Sequence, residues 1–319
     1  MISARPPLAA LALLLAAAPA GANPSLTDDF NGMSQWLSHE LAQGLAFNAG
    51  STFDPPAEVK GYALQPDVSF GVGRMPLDKR DFPRLTVSAL EERGGAGIFP
   101  NSVLFPNFSA HLRLGLPWRG DAYFRLANAT TPPGYKLSGG MKAQVQTNSF
   151  GVGVRQHFFG EGDVPRLTVG AHYNHVRGRS RLKDKFRIAS NGFSVDDDFL
   201  GDIDWNLNSF GLTTVVSGPV YENVTAFGGL GYNYCTGSVR TRLHLVSSTF
   251  LVQDIIGEGS SRPEQSQGRW IFGSSYDRPT WSLFSNAEVK AVGKGSYKAF
   301  IIQFGAALPA LERLPHAAA

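Results

Sequence analysis

The chain has 319 residues, with 29 Lys and Arg against 26 Asp and Glu, a balance too even to argue for nucleic acid as a partner. Its single cysteine, Cys235, excludes an internal disulfide framework. Gly is high at 36, aromatic residues make up 11% and mean hydropathy is only slightly negative, which suits a transmembrane barrel better than a soluble enzyme.

Arg5 is followed by an apolar stretch from Leu8 to Ala18 and the small residues Ala20-Gly21-Ala22. This is the pattern of a secretory signal peptide over residues 1–22, with Asn23 as the first mature residue. Losing Arg5 with the leader lowers the formal charge from +3 to about +2. The apolar stretch is shorter than the ~20 residues of a spanning helix. No long apolar run follows it, so only a closed barrel could satisfy the backbone in lipid.

Residues 25–47 have helical periodicity. Leu26, Phe30, Met33, Leu37, Leu41 and Leu45 form one apolar face, with Ser25 and Asp28 as a candidate N-terminal cap. Asn48-Ala49-Gly50 and Asp54-Pro55-Pro56 break the pattern. A barrel wall has no place for such a helix. The segment 23–60 is therefore expected to plug the lumen or cover the periplasmic mouth; an amphipathic helix on the membrane surface is the competing reading.

From residue 61 to 308 the chain reads as strands. Those expected to run up from the periplasm lie near 121–129, 166–188, 221–246 and 280–291. Those running down lie near 105–116, 141–159, 202–217, 268–276 and 296–307, and strands near 84–91 and 67–75 precede them. Short connections alternate with long ones near 92–104, 130–141, 189–201 and 247–267, matching short periplasmic turns and longer extracellular loops. The expected fold is all-β: a transmembrane antiparallel β-barrel of about 12 strands, with 10 or 14 as alternatives, and an N-terminal helical plug. Residues 309–319 are expected to be a flexible tail.

Three groups of segments then carry a resemblance: SHELAQGLAFNAGSTFDPPAEVKGYALQPDVSFGVGRMPL; FPNFSAHLRLGLPWRGDAYFRLAN with SFGVGVRQHFFG and DVPRLTVGAHYNH; and RPTWSLFSNAEVKAVGKGSYKAFIIQFGAAL. Their order resembles a group of uncharacterised bacterial outer-membrane barrels, similar in plan to long-chain fatty-acid and hydrocarbon transporters. The resemblance implies a plugged barrel in the cell outer membrane. The fatty-acid transporters carry Asn-Pro-Ala in the plug; this chain has Asn48-Ala49-Gly50 and Asp54-Pro55-Pro56, so no plug residue is carried over.

No Gly-x-Ser-x-Gly, Ser-x-x-Lys or His-Glu-x-x-His signature occurs. The chain is read as not an enzyme, with a rim hydrolase or acyltransferase as the residual reading. No cofactor is expected. Asp196, Asp198 and Asp202 could gather around calcium, but their spacing departs from the EF-hand loop, and a solvated acidic loop explains them as well.

The most pronounced pattern is a ladder of cations at every second position: Arg177, Arg179, Arg181, Lys183, Lys185 and Arg187. A strand would carry all six on one face. They continue the parity of Leu167, Val169, Ala171 and Tyr173, which reads as lipid-facing. Pairing Tyr173 with Phe210 would set Arg179 opposite Asp204 and Arg181 opposite Asp202. Arg240 and Arg242 repeat the design on the next strand. The opposite parity is apolar: Leu182, Phe186, Ile188, Ile203, Trp205, Leu207, Leu243 and Leu245.

Two readings follow. In one, the cations bind phosphates of outer-membrane lipid and lipopolysaccharide, while the apolar face forms a groove that passes a small hydrophobic molecule into a passive channel. In the other, the charges only keep an extracellular hairpin soluble and block edge pairing, and the barrel is structural or mediates surface interactions without transport. A bulge near Gly178 would instead turn the ladder inward and make an anion-preferring porin.

Overall fold

The structure is a computed structural model that describes residues 24–51, 57–87, 90, 95–132, 134–137, 140–160, 164–190, 193–246, 254–293 and 297–311; the side chains of residues 24–25 and 186–196 lie outside that description. So do the expected signal peptide, 1–22, and residues 312–319 of the expected tail.

One long helix, α1 (Pro24–Ala49), precedes eleven strands: β1 (Leu64–Pro76), β2 (Ser102–Leu116), β3 (Gly120–Thr130), β4 (Lys142–Phe159), β5 (Arg166–Ser190), β6 (Phe193–Tyr221), β7 (Val224–Val246), β8 (Ile255–Ser261), β9 (Ser266–Arg278), β10 (Trp281–Lys290) and β11 (Phe300–Ala307). α1 starts one residue before the expected cap, at Pro24. A proline at a helix start costs nothing, because its missing N–H would have had no intrahelical partner.

Every pairing is antiparallel. β1 to β7 pair in order, β7 pairs β9, and β9, β10 and β11 return to β1. The closed wall therefore has ten strands rather than about 12. β8 stands outside the ring, paired only with the upper part of β7, from Val239↔Ser261 to Leu245↔Ile255.

Three expectations need correction. Residues 84–87 are not strand. The Asp29 carboxylate accepts the backbone N–H groups of Thr86 and Val87 at 3.0 and 2.9 Å, and Leu85 buries against α1's apolar cluster, so this segment folds over the helix. The presumed loop 247–267 contains β8. The described residues of the presumed loop 189–201 are strand, so β5 and β6 form one tall hairpin.

The exterior carries the apolar belt a membrane requires. Phe70, Phe210, Leu212 and Phe304 are among the exposed large side chains, the last at 63%. With short turns at one end and most of the longer connections at the other, the wall meets the geometry of a membrane-spanning barrel. No helix among the described residues is long and apolar enough to cross a membrane.

α1 lies inside, with its start at the loop end. Asn31 meets Glu258 of β8, whereas Ser51, just past the helix, meets Glu288 of β10. Glu58 holds Arg119 in a short turn at the opposite end. The plug thus occupies the upper lumen, and not the periplasmic mouth.

Candidate functional site

The lumen divides into two zones. In the upper zone Phe30, Met33, Leu37 and Leu41 of α1 are buried with Leu182, Ile203, Trp205, Leu207, Leu243 and Leu245 of the wall. The residues expected to line an open groove are therefore the core around the chain's own helix; the groove is filled. Leu26 packs at its edge, partly buried. β5 carries Phe186 and Ile188 in the expected strand, but those side chains are outside the described set. A small apolar cavity of about 40 Å³ lies beside this part of the helix, reached by Leu37, Phe105, Met141 and Trp205.

One edge of α1 is polar at a spacing of four. The Gln35 amide both donates to the Ser260 carbonyl (3.0 Å) and accepts its N–H (3.1 Å). Asn31 accepts the Glu258 N–H at 3.0 Å, and Gln43 accepts the Glu264 N–H at 2.9 Å. Ser34 donates to the Gly257 carbonyl at 3.0 Å. These side chains supply what a neighbouring strand would give the open edge of β8. Helix and strand approach so closely that a Cβ on Gly257 would stand 2.3 Å from the Phe30 backbone, so only glycine fits there.

The end of α1 is capped by the wall. Arg269 donates to the Phe47 carbonyl (3.0 Å), Asn174 to Ala49 (3.0 Å) and His172 to Gly50 (3.2 Å). These carbonyls have no intrahelical donor, and a cation at the helix's negative end is favourable. Arg269 also pairs with Glu288, and Arg125 donates to the Ser51 carbonyl.

Below this lies a zone of buried ion pairs. His111 and Arg113 hold Asp67 at 2.6 and 3.1 Å. Arg155 holds Asp121 with two bonds of 2.7 and 2.9 Å, and His157 bridges Asp121 (2.8 Å) to Thr168 (2.9 Å). At the turn end Glu58 binds Arg119. Burial there pushes the Glu58 carboxyl up, but the Arg119 hydrogen bond and the charges of Arg119, Arg166 and His157 outweigh it and hold the group below its ordinary value.

The cation ladder stands on the exterior. β5 and β6 pair without a shift from Arg166↔Ser217 to Ser190↔Phe193, and Tyr173 pairs with Phe210. No bulge occurs at Gly178; the residue is glycine because the Trp205 ring lies where its Cβ would be, 2.4 Å away. With the ladder outside, the condition for a cationic lumen constriction is not met. Arg179 binds Asp204 at 2.7 Å, Arg181 lies 3.6 Å from Asp202 and Lys183 3.9 Å from Asp198. Arg242 binds Glu258 at 2.8 Å. Arg177, Lys185 and Arg240 are exposed in the same rows, and Arg187 lies in β5 with its side chain outside the described set. Asp198 and Asp202 thus face cations on separate rungs and do not converge on a calcium site, and the side chain of Asp196 is outside the described set. Among the described residues no three metal-binding side chains gather.

Sequence reasoning missed the helix cap and the buried pairs. Their signal was present in part: Asp67, His111, Asp121, Arg155 and His157 all hold the parity opposite to exposed neighbours such as Val68, Leu112 and Val154.

No protein-family model matches the chain, and no curated protein is similar to it in sequence. Solved structures similar to it are β-barrels. The translocator domain of autotransporter NalP from Neisseria meningitidis has 13% identity and a TM-score of 0.38 over 78% of this chain and 89% of that one. The outer membrane protease OmpT from Escherichia coli has 12% identity and a TM-score of 0.37 over 81% and 98%. A Pseudomonas aeruginosa FadL homologue has 8% identity and a TM-score of 0.26 over 88% and 97%. Their differing descriptions, a translocator and a protease among them, bear on no single role.

Proposed function

We propose that this chain is an outer-membrane β-barrel that passes small hydrophobic molecules when its N-terminal helix leaves the wall. The observation that carries the reading is how α1 is held. Its apolar face covers the apolar inner side of β5, β6 and β7, and its polar edge is joined to β8 by side-chain hydrogen bonds. Moving the helix as a unit would uncover an apolar trough leading down from the loop end. The barrel would sit in the outer membrane with its loop end outward.

A barrel without transport is the second reading, favoured by the lower lumen, where Arg113, Asp121 and His157 are fully buried.

The test is uptake of a labelled fatty acid by vesicles carrying the full chain, with cysteines placed at Gln35 and Ser260 in a Cys235→Ala background. Uptake under reducing conditions that stops on oxidation supports the gate. Equal uptake in both states removes the helix from the mechanism. Absence of uptake in the reduced and the parent chain favours the barrel without transport.

A further inference from the structure

On the side of the barrel opposite the tall hairpin the wall is low. β1 ends at Pro76, β10 at Lys290, and β11 begins at Phe300. Over these strand tops lies a cleft of about 530 Å³ that runs from Gly44 of α1, inside, to Arg74 on the outer face. Five cations line it, Arg74, Lys79, Arg80, Lys290 and Lys298, against the carboxylates of Glu40 and Asp78.

These charges are not matched as those of the ladder are. Asp78 is taken by Arg80 in a clasp with both of its oxygens, and Lys290 is held by Glu264 at 3.0 Å. The Arg80 hydrogen bonds hold the Asp78 carboxyl well below its ordinary range, with Lys298 adding to the same field. The side chains of Arg74, Lys79 and Lys298 have no hydrogen bond or ion pair among the described residues. By contrast, Arg179, Arg181, Lys183 and Arg242 each face a carboxylate across a strand pair.

The height of the cleft narrows what it could hold. Arg74 pairs with Leu104 on β2, an exposed side chain of the apolar belt, and stands one exterior position above Val72, which pairs with Ile302. Its cations therefore sit where the belt ends and lipid headgroups begin. A recessed set of cations, led by an arginine, suits an oxyanion with several acceptor oxygens. We propose that this cleft binds the phosphate group of a phosphorylated lipid in the outer leaflet.

The proposal rests on the membrane placement of the barrel and not on transport, and it is read in micelles, where uptake plays no part. The full chain in nonionic detergent is incubated with diphosphorylated lipid A, and bound lipid is counted by native mass spectrometry. The variant R74Q/K298Q should retain about tenfold less lipid or worse, since two charge-assisted contacts are lost. R179Q/R181Q should retain as much as the parent. Dephosphorylated lipid A should bind the parent no better than the variant. K79Q/K298Q, which leaves the half-buried Arg74 in place, should show a smaller loss in the same direction. Equal retention by parent and both cleft variants overturns the proposal. So does an equal loss in the ladder variant, which would reduce the effect to net charge. Tighter binding of inorganic phosphate than of the lipid would assign the cleft to a soluble phosphate compound and overturn the lipid assignment.

Discussion

The lower and upper parts of the barrel invert one another's polarity on the same strands. On β5, exterior Val169 gives way upward to exterior Arg177, Arg179 and Arg181, while interior Thr168, His172 and Asn174 give way to interior Val176 and Leu182. Below the switch the wall is apolar outside and polar inside, because lipid covers its exterior. Above it the wall is built like a soluble protein, with charge toward water and an apolar core around α1. One backbone serves two solvents, and the level at which the parities exchange marks where one solvent ends.

This contrast can be broken in the lower zone first. Asp121→Ala should cost ~3–5 kcal/mol, because Arg155 is left buried without its partner; urea unfolding in micelles measures it, and a loss below 1 kcal/mol would mean water reaches that zone. In the upper zone Leu41→Ala should cost ~2–5 kcal/mol through a cavity, and should appear as faster proteolysis of α1 with the ring intact. If instead the whole ring loses heat resistance, the two zones are one cooperative unit. Gln35→Ala should cost ~0.5–1.5 kcal/mol by removing two hydrogen bonds to the exposed Ser260 backbone, seen as faster amide exchange in β8 alone. Arg179→Ala should shift stability by only ~0–1 kcal/mol, since its pair with Asp204 is half exposed.

Acid should act from the turn end. The folded pKa of Glu58 is depressed, so its contribution is present above the unfolded value of ~4.3 and is lost as pH falls through the lower, folded value. Release of residues 57–60, followed by a fluorophore at Lys60, should therefore begin below about pH 4. Glu58→Gln should make it independent of pH in that range.

The upper exterior was legible in the sequence because charge was written into the parity. Arg179, Arg181, Asp202 and Asp204 fix a register by themselves, since a one-residue slip would set cations against the apolar face. The lower interior was not. Asp67 meets His111 across β1 and β2, and His157 meets Asp121 across β3 and β4; each side chain alone reads as one polar residue at an inner position, and only the register supplies its partner. α1 was legible as an amphipathic helix but its direction was not. The stripe Asn31, Gln35 and Gln43 has meaning only once β8 lies beside it. β8 itself was hidden by its Gly257 and Gly259, which weaken any strand pattern and are required by the nearness of the helix.

The direction of α1 also orders the events of assembly. Phe30 and Trp36 stand above a lower lumen filled by Arg113, Arg125 and Arg155, through which a bulky helix could not be pushed without tearing apart buried pairs. The seam between β1 and β11, from Asp67↔Ala307 to Arg74↔Phe300, joins the first strand made to the last. The helix must therefore be laid in place while that seam is still open. The final zippering then locks inside the barrel a segment that was synthesised before any of its walls.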